Sequence, residues 1–294
     1  MRREQLFFQL NTEEEAIGWC QKFGILNSGK ECYLCGSKTE FNKKQNKNRC
    51  INANCRIWIY LKANTAFHDS NLPIRKLILL LYEWSIETSV STTAYEYELS
   101  ISTVSEWFKK FRKLASLFYL QEKSIRIGGE GLTVEIDECY IVKRKYNRGR
   151  MLRNTNWIFG GIVRGNNTEC FIEFVEERNR KTLHEVISRR INPGSIICSD
   201  NWKAYGNLVE LLPEMKFKGH KNVNHSKNFV NPEDPEAHTQ NIEAFWSMFK
   251  RKLKKCGGEK YGSQIEDYFG QIMYKKLHRS NTFEKFIEDL EFTY

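Results

Sequence analysis

No apolar run in this 294-residue sequence approaches the ~18–20 residues that a membrane-spanning helix needs. The longest candidate, Leu77 to Tyr82, is short and belongs to an amphipathic pattern, so no membrane partner is expected. The opening residues, Met1-Arg2-Arg3-Glu4-Gln5-Leu6, lack the apolar core of a secretory signal. An intracellular, reducing location follows, nuclear in a eukaryotic host or at the cytoplasmic nucleoid in a bacterial one. There the nine cysteines serve as metal ligands or buried thiols rather than as a disulfide framework. Internal repeats and low-complexity stretches are absent. An aromatic content of 13% and a hydrophobic content of 40% exclude a disordered chain and support true cores. Acid is in deficit: 36 Asp and Glu against 46 Lys and Arg give a formal charge of +10, which favours a polyanionic partner.

The length suits roughly two domains. Residues 1–27 read as a lead-in helix, with Thr12 and Glu15 at capping-box spacing. Residues 28–68 hold four cysteines among polar turns. A helix over 73–87 opens at Pro73, and shorter helical patterns follow at about 90–98 and 102–120, within a region spanning 69–127. Gly128, Gly129 and Gly131 mark a boundary, and the last domain runs over 128–294. Its strands are predicted at 132–143, 156–164, 169–176, 195–199 and 214–219. Its helices are predicted at 180–191, 201–212, 238–255 and 263–291, with a loop over 221–237. The order βββαβαβα makes this an α/β domain with the succession of a ribonuclease-H-like core.

Cys32-x2-Cys35 and Cys50-x4-Cys55 have the spacing of two knuckles that close a four-thiolate zinc site, with Gly36 at the tight turn. Trp58, Tyr60 and Phe67 are expected around it. Cys20, Cys139, Cys170, Cys198 and Cys256 have no partner spacing and read as small buried hydrophobes. The two patterns before Gly128 suggest a helix-turn-helix, with Ser102 as the second helix's cap. Lys109, Lys110, Arg112 and Lys113 form the basic side of that helix, as a groove-reading helix requires; an ordinary helical packing domain is the plain alternative.

Asp137 falls in the alternating run Leu132-Thr133-Val134-Glu135-Ile136-Asp137, Asp200 closes a short apolar strand, and Glu243 rides an apolar-periodic helix. Brought together, such carboxylates suit two Mg²⁺ or Mn²⁺ ions in phosphodiester chemistry. Glu135 shares the face of Asp137 and can assist, while Glu138 points away. Lys250 lies seven residues after Glu243, nearly two turns on, and is placed to touch phosphate beside the metals. His220, His225 and His238 precede Glu243; a proton-shuttle or phosphate role competes there with ordinary surface or capping histidines. Lys143, Arg144, Lys145, Arg148, Arg150 and Arg153 make one basic run without an acid, and Lys250 with Arg251 begins another. Both fit duplex backbone contacts.

The chain resembles Merlin-type DDE transposases and their bacterial insertion-sequence relatives over nearly its whole length. The resemblance rests on the cysteine pairs, on Val134-Glu135-Ile136-Asp137-Glu138 and on Lys143-Arg144-Lys145-Tyr146-Asn147-Arg148-Gly149-Arg150. It extends through Trp157-Ile158-Phe159-Gly160-Gly161, Ser199-Asp200-Asn201-Trp202-Lys203-Ala204-Tyr205, Val223-Asn224-His225-Ser226 and His238-Thr239-Gln240-Asn241-Ile242-Glu243-Ala244-Phe245-Trp246. It implies cut-and-paste transposition: binding of terminal inverted repeats, cleavage at element ends, and joining of 3′-hydroxyls to target DNA by at least a dimer. Asp137, Asp200 and Glu243 occupy the acidic triad positions and Lys250 the trailing basic one. A domesticated or inactive transposase-derived DNA-binding protein, and another ribonuclease-H-like nuclease, are the competing readings.

Overall fold

The computed structural model describes residues 1–26, 31–42, 47–63, 65–122, 126–141, 157–223, 234, 236–255 and 265–291. In chain order the elements begin with α1 (Arg3–Gln9), α2 (Glu13–Lys22), β1 (Thr39–Asn42), β2 (Lys47–Cys50), β3 (Trp58–Tyr60), α3 (Ile74–Ser85), α4 (Val90–Glu96) and α5 (Ile101–Glu122). There follow β4 (Thr133–Tyr140), β5 (Trp157–Val163), β6 (Asn166–Val175), α6 (Arg180–Arg190), β7 (Ile196–Asp200), α7 (Leu208–Leu211) and β8 (Gly219–Val223). The last are α8 (Gln240–Lys255), α9 (Ile265–Leu277) and α10 (Thr282–Glu291). They divide into two units, Met1–Phe111 with Arg279–Tyr294, and Arg112–His278.

In the first unit the lead-in is two helices, not one. Thr12 starts α2 by accepting from Glu15 N at 3.2 Å, while Glu15 Oε2 accepts from Thr12 N at 2.8 Å. Pro73 precedes α3 but has no side-chain acceptor. The Glu13 carboxylate takes that place, accepting from Ile74 N (2.7 Å) and Arg75 N (3.0 Å). Ser100, rather than Ser102, caps α5, accepting from Thr103 N at 3.0 Å. Ser102 is already helical, and its hydroxyl meets that of Ser100 at 2.8 Å. Trp84 meets Phe286 of α10 edge-on at 5.0 Å and lies 5.9 Å from Phe111, so α10 completes this core. The sequence reading assigned α10 to the last domain.

The second unit holds a mixed five-stranded sheet in the order β6-β5-β4-β7-β8. β4 pairs antiparallel with β5, and β5 with β6; β4, β7 and β8 run parallel. Element order follows the predicted βββαβαβα. Val134 and Ile136 face one side, in a core with Leu183, Val186 and Ile187 of α6. The alternate residues face α8.

Three element predictions made for residues 128–294 differ from what forms. The expected helix at 201–212 is broken: a short 3-10 turn at Lys203–Tyr205 and then Asn207 in the left-handed region (φ 58°) separate it from α7. The expected strand at 214–219 forms instead at β8. Met215 and Phe217 are buried in alternation, which mimics a strand, but Lys216 between them has φ 45°, which no extended chain adopts. The single region 263–291 is two helices, α9 and α10. No helix among the described residues is long and apolar enough to cross a membrane.

Candidate functional site

β4 brings three carboxylates, Glu135, Asp137 and Glu138, into the centre of the sheet, and their surroundings differ. Glu135 is fully buried beneath the start of α8. It accepts from Asn241 N (2.9 Å), Asn241 Nδ2 (2.7 Å) and Ile242 N (3.1 Å), and pairs with Arg164 at 3.0 Å. His238 Nδ1 stands 3.5 Å away. A carboxylate among helix N-terminal amides is stabilised there by hydrogen bonds and by the helix dipole. Glu138 points to the other face, as alternation requires. Arg178 pairs with it at 3.1 Å, and Tyr205 donates its hydroxyl to it. The Arg178 guanidinium lies over Trp202 (4.1 Å) and Trp157 (4.8 Å).

Asp137 lies between these two and has no cationic partner among the described residues. Its side chain accepts from Trp246 Nε1 at 3.0 Å. Burial, then the charges of Glu138 and Asp200, push its carboxyl up to about 7. The proximity of Asp200 follows from register. Glu135 is opposite Cys198 in the parallel β4–β7 pair, so two residues on Asp137 is level with Asp200 and on the same face. Asp200 Oδ1 accepts from Trp202 N at 3.1 Å, which fixes the carboxylate at the end of β7.

Helix α8 lies along this face in step with β4. Asn241 and Ile242 meet Glu135, Trp246 meets Asp137, and the Lys250 ammonium is near enough to Cys139 to act on its thiol. Four strand residues and nine helical residues both advance about 13 Å, which explains the match. Trp246 fits because Gly160, opposite Asp137 on β5, has no side chain: a Cβ there would lie 2.6 Å from Trp246 Cη2. Glu243 is half-buried one turn before Trp246 and accepts from Thr239 Oγ1 at 2.9 Å. Asp137, Asp200 and Glu243 do not draw within 4.8 Å of one another; among the described residues the one group that compact is Cys32, Cys35, Cys50 and Cys55.

Those four sulfurs belong to the first unit. Cys32 and Cys55 stand 3.7 Å apart and Cys35 and Cys50 3.5 Å apart. A zinc tetrahedron with bonds of about 2.3 Å has edges of about 3.8 Å, so the donor set and its size fit zinc. Both knuckles turn through a left-handed residue after their second cysteine, Gly36 (φ 67°) and Arg56 (φ 45°). Hydrogen bonds with Ser37 hold the Cys35 thiol low, at about 6. Ile59 and Ile57 pack the cluster, not the expected Trp58, Tyr60 and Phe67. Phe67 lies 6.1 Å from Trp107, and Tyr60 is exposed with Lys47 over its ring. Cys20, Cys139, Cys170 and Cys198 are buried; Cys256 falls outside the described residues.

The basic residues divide similarly. Lys110 and Lys113 are exposed on α5 and Lys109 is half-buried. Arg112 turns inward, its guanidinium 3.8 Å over Tyr268 and its Nε buried. Lys250 and Arg251 are exposed on α8. Lys143, Arg144, Lys145, Arg148, Arg150 and His225 lie outside the described residues. His220 meets Ser199 Oγ at 2.8 Å on the face away from Asp200, and burial lowers it to about 4, so it is neutral there. Gly160, Arg178 and the Trp246 indole are contributors to which the sequence pattern gives no such role. Glu135, expected to assist Asp137 from the same face, instead seats the start of α8.

Residues 128–276, just over half of the chain, match the family described as the ISXO2-like transposase domain. No curated protein matches. Among solved structures, the Mos1 strand transfer complex is similar at 14% identity and a TM-score of 0.25, over 71% of this chain and 76% of that one. The Mos1 transposase paired-end complex with left transposon end is similar at 13% identity and a TM-score of 0.23, over 74% and 79%.

Proposed function

The chain belongs to the ISXO2-like transposase family, and from that premise we propose that its second unit is a ribonuclease-H-like DDE core. It cleaves DNA at the ends of a mobile element and joins the freed 3′-hydroxyls to target DNA. One observation carries this reading. Glu135 and Glu138 each have an arginine, whereas Asp137, level with Asp200, has no cation among the described residues. Two half-buried carboxylates left in mutual repulsion suit a divalent cation, and hard oxygen donors suit Mg²⁺ or Mn²⁺. Asp137 and Asp200 would hold the metal, and Glu243 would join them from α8. When bound, a pair of such ions activates the attacking oxygen and stabilises the leaving oxygen.

The protein's own part is positioning. Trp246 orients the Asp137 carboxylate, and Trp202 N holds that of Asp200. Glu135 seats the first turn of α8, and Thr239 steers Glu243. Lys250, exposed near the end of β4, meets the phosphate. The cysteine cluster acts as a zinc ribbon and α4–α5 as a helix-turn-helix, recognising terminal inverted repeats with Lys109, Lys110 and Lys113. The basic run Lys143, Arg144, Lys145, Arg148 and Arg150 follows β4 in sequence and adds backbone contacts. Two element ends held at once require a dimer or larger assembly.

A labelled duplex carrying the element's own end, incubated with Mg²⁺ or Mn²⁺, tests the reading. Cleavage and joining are expected from the unaltered protein. Both should disappear in Asp137→Ala, Asp200→Ala and Glu243→Ala, while end binding persists. Binding without metal-dependent cleavage by the unaltered protein would mark a DNA-binding descendant instead. Cleavage surviving Glu243→Ala would remove that residue from the ligand set.

A further inference from the structure

The second unit has a shallow, largely open cleft of ≈ 800 Å³ along the outer side of α6, the helix that covers the sheet face away from α8. Arg126, Arg180, Lys181 and Arg189 line it, with Glu185 the one carboxylate among the described lining residues. His184 also lines it, and burial lowers its basicity. The cations are not there to satisfy one another. Arg180 donates to Lys203 O at 2.8 Å, and Arg189 pairs with Glu173. Arg126 and Lys181 are exposed and make no hydrogen bond or ion pair with any described residue. Like charges collected in a concavity raise the local potential for an anion.

Their layout selects the anion. Arg180 and Arg189 are nine residues apart on one helix, about 13 Å along its axis and half a turn apart around it, so the charges form a broad track round the exposed side of α6 rather than a converging pocket. A spread of that size suits an extended polyanion with several phosphates better than a single small anion. One end of the track adjoins the site already described, because the carbonyl held by Arg180 lies three residues beyond Asp200.

We propose that the α6 cleft binds the phosphodiester backbone of duplex DNA, on a surface separate from the α8 face. This rests on the transposase reading and extends it to a second DNA-contacting surface. Contacts of this type add affinity and orientation without reading sequence.

The test uses the full chain and a fluorescent mixed-sequence duplex of roughly 30 base pairs, with binding measured by anisotropy without added Mg²⁺ or Mn²⁺ and without chelator, from about 0.05 to about 0.4 M KCl. The Arg126→Gln/Lys181→Gln double variant should bind with a log–log salt slope shallower by about 1.8, since each lost phosphate contact removes about 0.9. At 0.1 M salt that is a weakening of roughly 60-fold, shrinking towards none near 1 M. Glu185→Gln should tighten binding, a gain that damage to the fold cannot produce. An unchanged slope in the double variant overturns the proposal, even if affinity falls by a constant factor at every salt concentration. Metal-dependent cleavage by the unaltered protein is read in parallel, so loss of the cleft proposal and loss of the transposase reading remain distinct results.

Discussion

Three carboxylates within four residues of β4 have three fates, decided by what faces them. Glu135 meets helix amides and Arg164, Glu138 meets Arg178 and Tyr205, and Asp137 meets an indole N–H and another carboxylate. The elevation of Asp137 from 3.8 to about 7 sets a sign for pH dependence. A group whose value is raised by folding adds stability when protonated, fully below the unfolded value, and that stability is lost as pH rises through about 7. In the absence of divalent ions, thermal melting of the wild type should therefore weaken from pH 4 to pH 8 by up to about 4 kcal/mol from this group. Asp137→Asn keeps an acceptor for Trp246 and should flatten that component, melting above wild type at pH 8. An identical pH profile in the two proteins would refute the assigned environment. Gly160→Ala probes the same carboxylate from behind. Its Cβ would contact Trp246 Cη2 at 2.6 Å and Phe171 O at 3.0 Å, so the indole must shift. A loss of about 1–3 kcal/mol in denaturant melting and a marked fall in cleavage are expected; wild-type values for both would count against the Trp246 contact.

At the scale of elements, distant carboxylates do what local caps usually do. Glu13 of α2 closes the start of α3, and Glu135 of β4 closes the start of α8, 106 residues away. Local capping at Thr12 was legible because it depends on spacing; these two depend on packing and leave no pattern in the sequence. The cysteine knuckles were legible for the opposite reason, since ligand spacing is itself the signal. Among the described residues their strands have a core of Ile59, Ile57 and the thiols, too small to stand unaided. Chelation of zinc should therefore melt β1–β3, and Cys35→Ser should abolish zinc retention measured by elemental analysis. Full zinc content in Cys35→Ser, or a ribbon indifferent to chelator, would remove the metal from this site.

At the scale of the whole molecule, the chain returns on itself. Helix α10 packs in the first unit, where Phe286 meets Trp84 at 5.0 Å and Phe111 at 6.1 Å, although the second unit intervenes in sequence. Phe286→Ala should cost about 3–5 kcal/mol in the stability of that unit. Denaturant unfolding, followed by the near-ultraviolet signal of Trp84 and its neighbours, measures it; a loss below about 1 kcal/mol would deny α10 its place in this core.

The sequence alone determined the succession of strands and helices in the second unit, the cysteine knuckles, the carboxylate candidates and the basic surplus, because periodicity, spacing and composition are local properties. Tertiary structure decided the rest. Which carboxylates receive an arginine, which glycine makes room for an indole, where Met215 and Phe217 stop being a strand, and which unit takes the last helix all depend on contacts between residues far apart in the chain. Such contacts arise only when β4, β7 and α8 come into register, and that register is fixed by packing rather than by any one segment.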